Sequence, residues 1–192
     1  MIRVVRRTCA ALLLAATMQG VNAAELAGIE VPDSITLKDG STLQLNGMGL
    51  REKLWIDVYV GSLYLEKRAD NVAAALAQTG AYRVQMDFVY KEVSSEKLVE
   101  AWREGFNRNQ SESRLKQMAE RIERFYQMFD QNVVAGDRYT IDYLPETGTT
   151  ISKNGTQLGL IEGEDFKEAL LEIWVGNYPA DQQLKRGMLG QD

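Results

Sequence analysis

The chain has 192 residues, 27 acidic and 22 basic side chains, a net charge of −5, one cysteine and no histidine. The acidic balance speaks against nucleic acid and against anionic lipid surfaces, both of which are held by clustered lysine and arginine. Without histidine there is no His-based catalytic triad, no imidazole metal site and no imidazole proton shuttle.

Residues 1–23 read as a secretory signal peptide. Arg3, Arg6 and Arg7 give a positive start, Ala10 to Met18 an apolar core, and Val21-Asn22-Ala23 a small-x-small cleavage pattern. The apolar run is too short for a permanent transmembrane helix, and no later run is long enough to cross a bilayer. The alternative is a buried N-terminal helix. Arg6-Arg7 by itself is a weak twin-arginine signal. Cys9 precedes the apolar core, so it is not placed as a lipid-modified cysteine. Removal of the segment leaves residues 24–192 with 19 basic against 27 acidic groups and no cysteine. Such a chain has no disulfide and no thiol nucleophile, and it suits a bacterial periplasm. With no internal repeat or low-complexity linker, residues 24–192 read as one domain.

In chain order, Ile29 to Leu45 predicts a β-hairpin, with Ser34–Leu37 and Thr42–Leu45 flanking Lys38-Asp39-Gly40-Ser41. Gly47-Met-Gly49 reads as a Gly-rich turn carrying Arg51 into a long strand, Leu54 to Leu65. Along that strand Ile56, Val58, Val60 and Tyr64 fall on one face, and Trp55, Asp57, Tyr59, Leu63 and Leu65 on the other. Gly61 removes a side chain from the second face. Asp70 predicts the cap of a short helix to Leu76. Tyr82 to Val89 predicts a strand with Tyr82, Val84, Met86 and Phe88 on one face. Ser94 or Ser95 then caps a helix with the apolar stripe Leu98, Ala101, Trp102 and Phe106. A second helix is predicted from Glu112 to Phe129, where seven apolar residues keep helical spacing. A strand follows at Arg138–Tyr143. Next comes a hairpin, Thr149–Ser152 and Thr156–Ile161, turning at Asn154-Gly155. Helices at Glu164–Val175 and Asp181–Leu189 end at Gly176 and Gly190. Strands, helices, strands and helices in that order favour an α+β fold with an antiparallel sheet rather than βαβ units.

Three segments resemble the chalcone isomerase-like family. They are LNGMGLREKLWIDVYVGSLYLE (45–66), SSEKLVEAWREGF (94–106) and GLIEGEDFKEALLEIWVGNYPADQQLKRGMLG (159–190). The resemblance implies an open-faced β-sandwich, a large antiparallel sheet with a helical layer on one face and a ligand cleft between them. The family holds isomerases that close a chalcone to a flavanone and non-catalytic members that bind fatty acids. In both, an arginine after a Gly-x-Gly pattern points into the cleft, and Arg51 matches it. It would orient a phenolate in an enzyme and hold a carboxylate in a binder. The other active positions diverge. Tyr59 stands where the enzymes carry a threonine, and Leu98 and Gly105 where they carry a tyrosine and an asparagine. Ser152 lies nearest to their small hydroxyl residue before the last helix.

From the residues alone, Arg51 is a fixed positive charge beside buried surface and needs an anionic partner. That partner is either a side chain, with Glu52 adjacent and Asp57 near, or a ligand. The leading expectation is a periplasmic protein that binds a fatty acid or a similar small carboxylate amphiphile. Arg51 and Tyr59 would hold the head. Trp55, Leu63, Leu98, Trp102 and Phe106 would face the tail, with Ser152 at the cleft. The first alternative is an isomerase acting on a chalcone-like enone, in which Arg51 and Tyr59 would be catalytic. The second is a structural or interaction protein with a collapsed cleft. No cofactor is called for. Asp137, Asp142, Glu162, Glu164 and Asp165 show no metal-ligand spacing.

Overall fold

The computed structural model describes residues 23–191. The signal-peptide reading of residues 1–23 therefore lies, but for Ala23, outside the described residues. The chain opens with a hairpin, β1 (Ala23–Leu26) and β2 (Ile29–Pro32), closed by Ala27-Gly28 with φ of +50° and +77°. There follow β3 (Ser34–Thr36), β4 (Thr42–Lys53), β5 (Ile56–Leu65), α1 (Val72–Leu76), β6 (Tyr82–Phe88) and β7 (Glu92–Val93). Then come α2 (Ser95–Asn109), α3 (Glu112–Tyr126), β8 (Val133–Val134), β9 (Arg138–Leu144), β10 (Gly148–Lys153), β11 (Thr156–Ile161), α4 (Glu164–Val175) and α5 (Gln182–Met188).

Seven strands form one antiparallel sheet in the order β11-β10-β9-β6-β5-β4-β3. The chain leaves the sheet after β6, runs through α2 and α3, and returns as β9 beside β6. The helices pack on one face. On β6, Tyr82, Val84, Met86 and Phe88 point into this core. Between them, Arg83, Gln85 and Asp87 register with Asp142, Thr140 and Arg138 of β9. Arg83 makes a two-pronged ion pair with Asp142, Nε to Oδ1 at 2.5 Å and Nη2 to Oδ2 at 2.6 Å. This is the alternation of a sheet with one apolar and one polar face. A smaller cluster on the opposite face gathers Val31, Leu43, Leu45 and Tyr64 under the β1–β2 hairpin. The Tyr64 hydroxyl donates to the Pro32 carbonyl at 3.0 Å.

Helix starts follow their capping side chains. Ser94 accepts from Lys97 N, and Ser111 from Arg114 N. α1 is capped by Asn71, which accepts from Ala74 N, and not by the neighbouring Asp70. Both residue types cap well, and only the backbone geometry chooses between them. The core is aromatic where α2, α3 and α4 meet: Trp102 lies edge-on to Phe125 at 5.2 Å and to Trp174 at 5.4 Å.

Gly47 and Gly49 do not form a turn. They lie in the interior of β4, whose register against β5 slips between Leu45 and Gly47. The extra residue is Asn46. Leu43 and Leu45 face the hairpin cluster, whereas Gly47, Gly49 and Arg51 face α5. A one-residue slip exchanges the two faces of a strand. Asn46 fills the bulge: its amide donates to Ala69 O at 2.9 Å and Met188 O at 2.7 Å, and its oxygen accepts from Ala69 N at 2.7 Å. The glycines let the backbone of α5 lie against the strand. A Cβ on Gly47 would stand 2.1 Å from Gly187 O, and one on Gly49 2.7 Å from Leu184 O.

Asn46→Ala leaves two buried carbonyls and one N–H without their side-chain partner, at about 1–3 kcal/mol each. Urea unfolding is expected to show a loss above about 2 kcal/mol, and Gly49→Ala a similar loss through overpacking against backbone. A loss below about 0.5 kcal/mol in both would contradict this account of the β4–α5 contact.

Candidate functional site

Arg51 and Tyr59 are directly opposite partners on β4 and β5 and share the face toward the helices. Opposed residues on one face hold their Cβ atoms about 4.5–5.5 Å apart, so the guanidinium and the phenol share one end of the sheet. The Arg51 side chain is 19% exposed. Its Nη1 donates to the backbone carbonyl of Glu52 and lies 3.6 Å from Oδ2 of Asp181. Among the described residues, Nε and Nη2 have no hydrogen-bond partner. Asp181 also caps α5, with Oδ1 accepting from Gln183 N at 2.8 Å and Leu184 N at 2.9 Å. Its two oxygens thus divide between the helix and the arginine. At 3.6 Å the pair is an ion pair outside hydrogen-bond range.

Tyr59 is 6% exposed. Its hydroxyl accepts from Trp174 Nε1 at 3.1 Å, which leaves its own proton to donate. Burial pushes the phenol from 10.0 up to about 12, against the opposing pull of the Arg51 charge and the Trp174 hydrogen bond. It is therefore a neutral donor throughout the physiological range. Trp102 Nε1 is buried with no hydrogen-bond partner among the described residues.

These groups border a cavity of about 80 Å³ between β4, β5, α2 and the segment before α5. Arg51, Tyr59, Leu98, Trp102, Gly105 and Ile173 are among its walls. A water needs about 10–15 Å³ of such space, so the chamber suits a headgroup and not a chain. A larger trough of about 380 Å³ shares Arg51, Tyr59, Leu98 and Ala101 with it. The trough runs out between the β4–β5 turn and α2 over Ile56, Val58, Phe88 and Val93. Its size is at the lower end for small-molecule clefts, about 300–1,000 Å³. Lys53, Lys97, Glu92, Glu100 and Glu104 stand along it.

A family model described as chalcone isomerase-like matches residues 23–190. The chain belongs to the chalcone isomerase-like family. Its structure is similar to that of a fatty-acid binding protein of Arabidopsis thaliana, with a TM-score of 0.67 and 16% identity over 88% of this chain and 96% of that one. At that identity the likeness shows a shared fold. A search of curated proteins finds no match.

The chalcone isomerase-like cleft gathers some of the residues singled out in the sequence and disperses others. Arg51, Tyr59, Leu98 and Trp102 line it, as does Gly105. Leu63 and Phe106 are completely buried in the core and are absent from both cavity walls. Trp55 does not face the cleft. It is 96% exposed at the β4–β5 turn, because the chain reverses at Leu54-Trp55 and β5 begins only at Ile56. Ser152 is on β10, four strands from β4, with Ile151 beside it taking the core-facing position. It is therefore not part of the cleft. The acidic partner of Arg51 is Asp181, from the far end of the chain, and not the side chain of Glu52 or Asp57. Asp181 and Trp174 escaped the sequence reading. The only trace of Asp181 there is its place at the start of the last predicted helix, Asp181–Leu189.

Tyr59→Phe tests the buried phenol. The unfolded side chain titrates near pH 10 and the folded one at about 12. The folded state keeps the proton in that window. The associated stability is complete below about pH 10 and is lost as the pH climbs through the window. Tyr64, Tyr126 and Tyr139 are raised in the same direction. The variant is expected to remove one late-titrating phenol from the absorbance titration and to flatten the alkaline fall in stability. A titration curve identical to the wild type is the contrary result.

Proposed function

We propose that the protein is a periplasmic binding protein for a fatty acid or a similar small carboxylate amphiphile. One observation carries this reading: a guanidinium with two donor nitrogens that no described residue engages, at the junction of a small chamber and an apolar trough. A carboxylate accepts two parallel N–H bonds from one arginine fork. Tyr59 offers a neutral O–H on the same face, and Trp102 an N–H that no described residue uses. The trough takes the chain, at about 0.8 kcal/mol per buried methylene. The head would then fix orientation and register, and the chain length would set affinity. The fatty-acid binding relative shares the fold and supports this ligand class. The positive, apolar and small-x-small pattern of residues 1–23 supports export to a compartment outside the cytoplasm.

The geometry gives less to the two alternatives. An isomerase would use several hydroxyl or amide groups around the substrate, and Leu98 and Gly105 supply none. A collapsed, purely structural cleft is hard to reconcile with about 380 Å³ beside Arg51.

Charge-assisted hydrogen bonds contribute about 1.5–3 kcal/mol. Arg51→Ala is therefore expected to weaken fatty-acid binding roughly ten- to a hundredfold. Displacement of a fluorescent fatty acid measures the affinity, and native mass spectrometry of the exported protein shows any lipid carried through purification. Equal affinity in the wild type and Arg51→Ala would remove this reading.

Asp181→Asn keeps a capping side chain on α5 but releases Arg51 from its carboxylate. Affinity for the same fatty acid is expected to rise, with thermal stability changed little. Weaker binding in a folded Asp181→Asn protein would show that the ion pair positions Arg51 and does not compete with the ligand.

A further inference from the structure

The β4–β5 turn is made from residues that suit a turn poorly. Leu54 and Trp55 take its two central positions with φ of +51° and +67°. Two-residue hairpins of this hand favour Asn-Gly, because other side chains are strained at positive φ. The Asn154-Gly155 turn of the same sheet follows that preference. Nothing in the packing compensates at the β4–β5 turn, since Leu54 is 82% and Trp55 96% exposed. With Ile56 at 40%, three consecutive apolar side chains stand in water, whereas the other large exposed apolar residues among the described residues are single. Leu54 and Ile56 also line the mouth of the apolar trough.

We propose that this turn is a lipid-contacting portal. Leu54 and Trp55 enter the headgroup region of a zwitterionic phospholipid bilayer, and an amphiphile passes between the bilayer and the trough at that point. The contact stands on the exposed turn alone; the passage rests on the fatty-acid reading of the cleft.

Area and charge choose this occupant. A stable protein interface buries about 800 Å² on each partner, and a large aromatic side chain contributes only about 150–250 Å². Three side chains at a narrow turn fall short of what a second copy or another protein needs. A second copy is also disfavoured by charge, since the chain carries −5. The immediate flanks, Glu52, Lys53 and Asp57, are not a basic patch, so an anionic surface gains nothing. An interfacial tryptophan beside aliphatic side chains is what a neutral bilayer surface accepts, since the ring settles at headgroup level.

Trp55 is itself the probe, because Trp102 and Trp174 are 3% and 1% exposed. The exported protein is mixed with phosphatidylcholine vesicles whose acyl chains are brominated, and with unbrominated controls. The wild type is expected to show quenched tryptophan emission and to sediment with the vesicles. Trp55→Ser should lose the quenching and bind vesicles roughly tenfold more weakly, as burial of that side chain sets the partitioning. Its affinity for a fatty acid in vesicle-free solution should match the wild type. Transfer of a fluorescent fatty acid out of phosphatidylcholine vesicles should accelerate with vesicle concentration for the wild type and less so for Trp55→Ser. The proposal is overturned by vesicle binding that is equal in the two proteins. Binding only to phosphatidylglycerol vesicles, or a dimer that Trp55→Ser dissolves, overturns it too. Should vesicle contact persist while no fatty acid binds in solution, the cleft reading fails and the portal contact stands.

Discussion

One extra residue in β4 decides which face of the sheet Arg51 occupies. Without the bulge at Asn46, strand alternation would keep Arg51 on the face of Leu43 and Leu45, turned away from the helices. With it, Gly47, Gly49 and Arg51 all face α5 and the cavity. The bulge is held by three hydrogen bonds from a single amide to two other parts of the chain. The two glycines then admit α5 to backbone contact, and the cap of α5 delivers Asp181 to Arg51. Side-chain identity, strand register and helix docking thus converge on one guanidinium.

The electrostatics of that guanidinium suit exchange better than permanent neutralisation. Its pairing with Asp181 is long, 3.6 Å and outside hydrogen-bond range, and each side chain keeps about one-fifth of its surface in solvent. The arginine keeps donor nitrogens for a second anion. Tyr59 is kept neutral by burial, so it adds a donor without adding a competing charge. Phe88 beside Tyr59 and the aromatic cluster around Trp102 supply rigid apolar walls. The small chamber and the apolar trough thus meet at one cross-strand pair, Arg51 and Tyr59, placed where sheet and helices diverge.

Much of the fold was legible because periodicity survives folding. The apolar stripes of α2, α3 and α4, the alternation on β6 and the Asn154-Gly155 turn all read directly from the sequence. The β4–β5 turn did not, since Leu54-Trp55 carries no glycine, proline or asparagine; counting alternation through it placed Trp55 in the cleft. The glycines of β4 were misread for a related reason. Glycine marks turns, but within a strand it marks the close approach of another backbone, and the approaching backbone, α5, is more than a hundred residues away in sequence. The β1–β2 hairpin closes on Ala27-Gly28, a weaker signal than Asn-Gly. Of the site, the arginine, the tyrosine and the α2 face were readable through the family resemblance. Asp181 and Trp174 were not, because a capping aspartate and a core tryptophan have sufficient local reasons to be where they are.

The central claim is that Arg51 meets a ligand carboxylate inside the cleft. Nuclear magnetic resonance of a fatty acid labelled at its carboxyl carbon, bound to the protein and titrated with acid, reads that contact at the atom concerned. A carboxylate on Arg51 should give a distinct bound resonance that stays ionised to lower pH than the free acid, and this depression should vanish in Arg51→Ala. A bound resonance that titrates like the free acid, or that is the same in both proteins, would contradict the account.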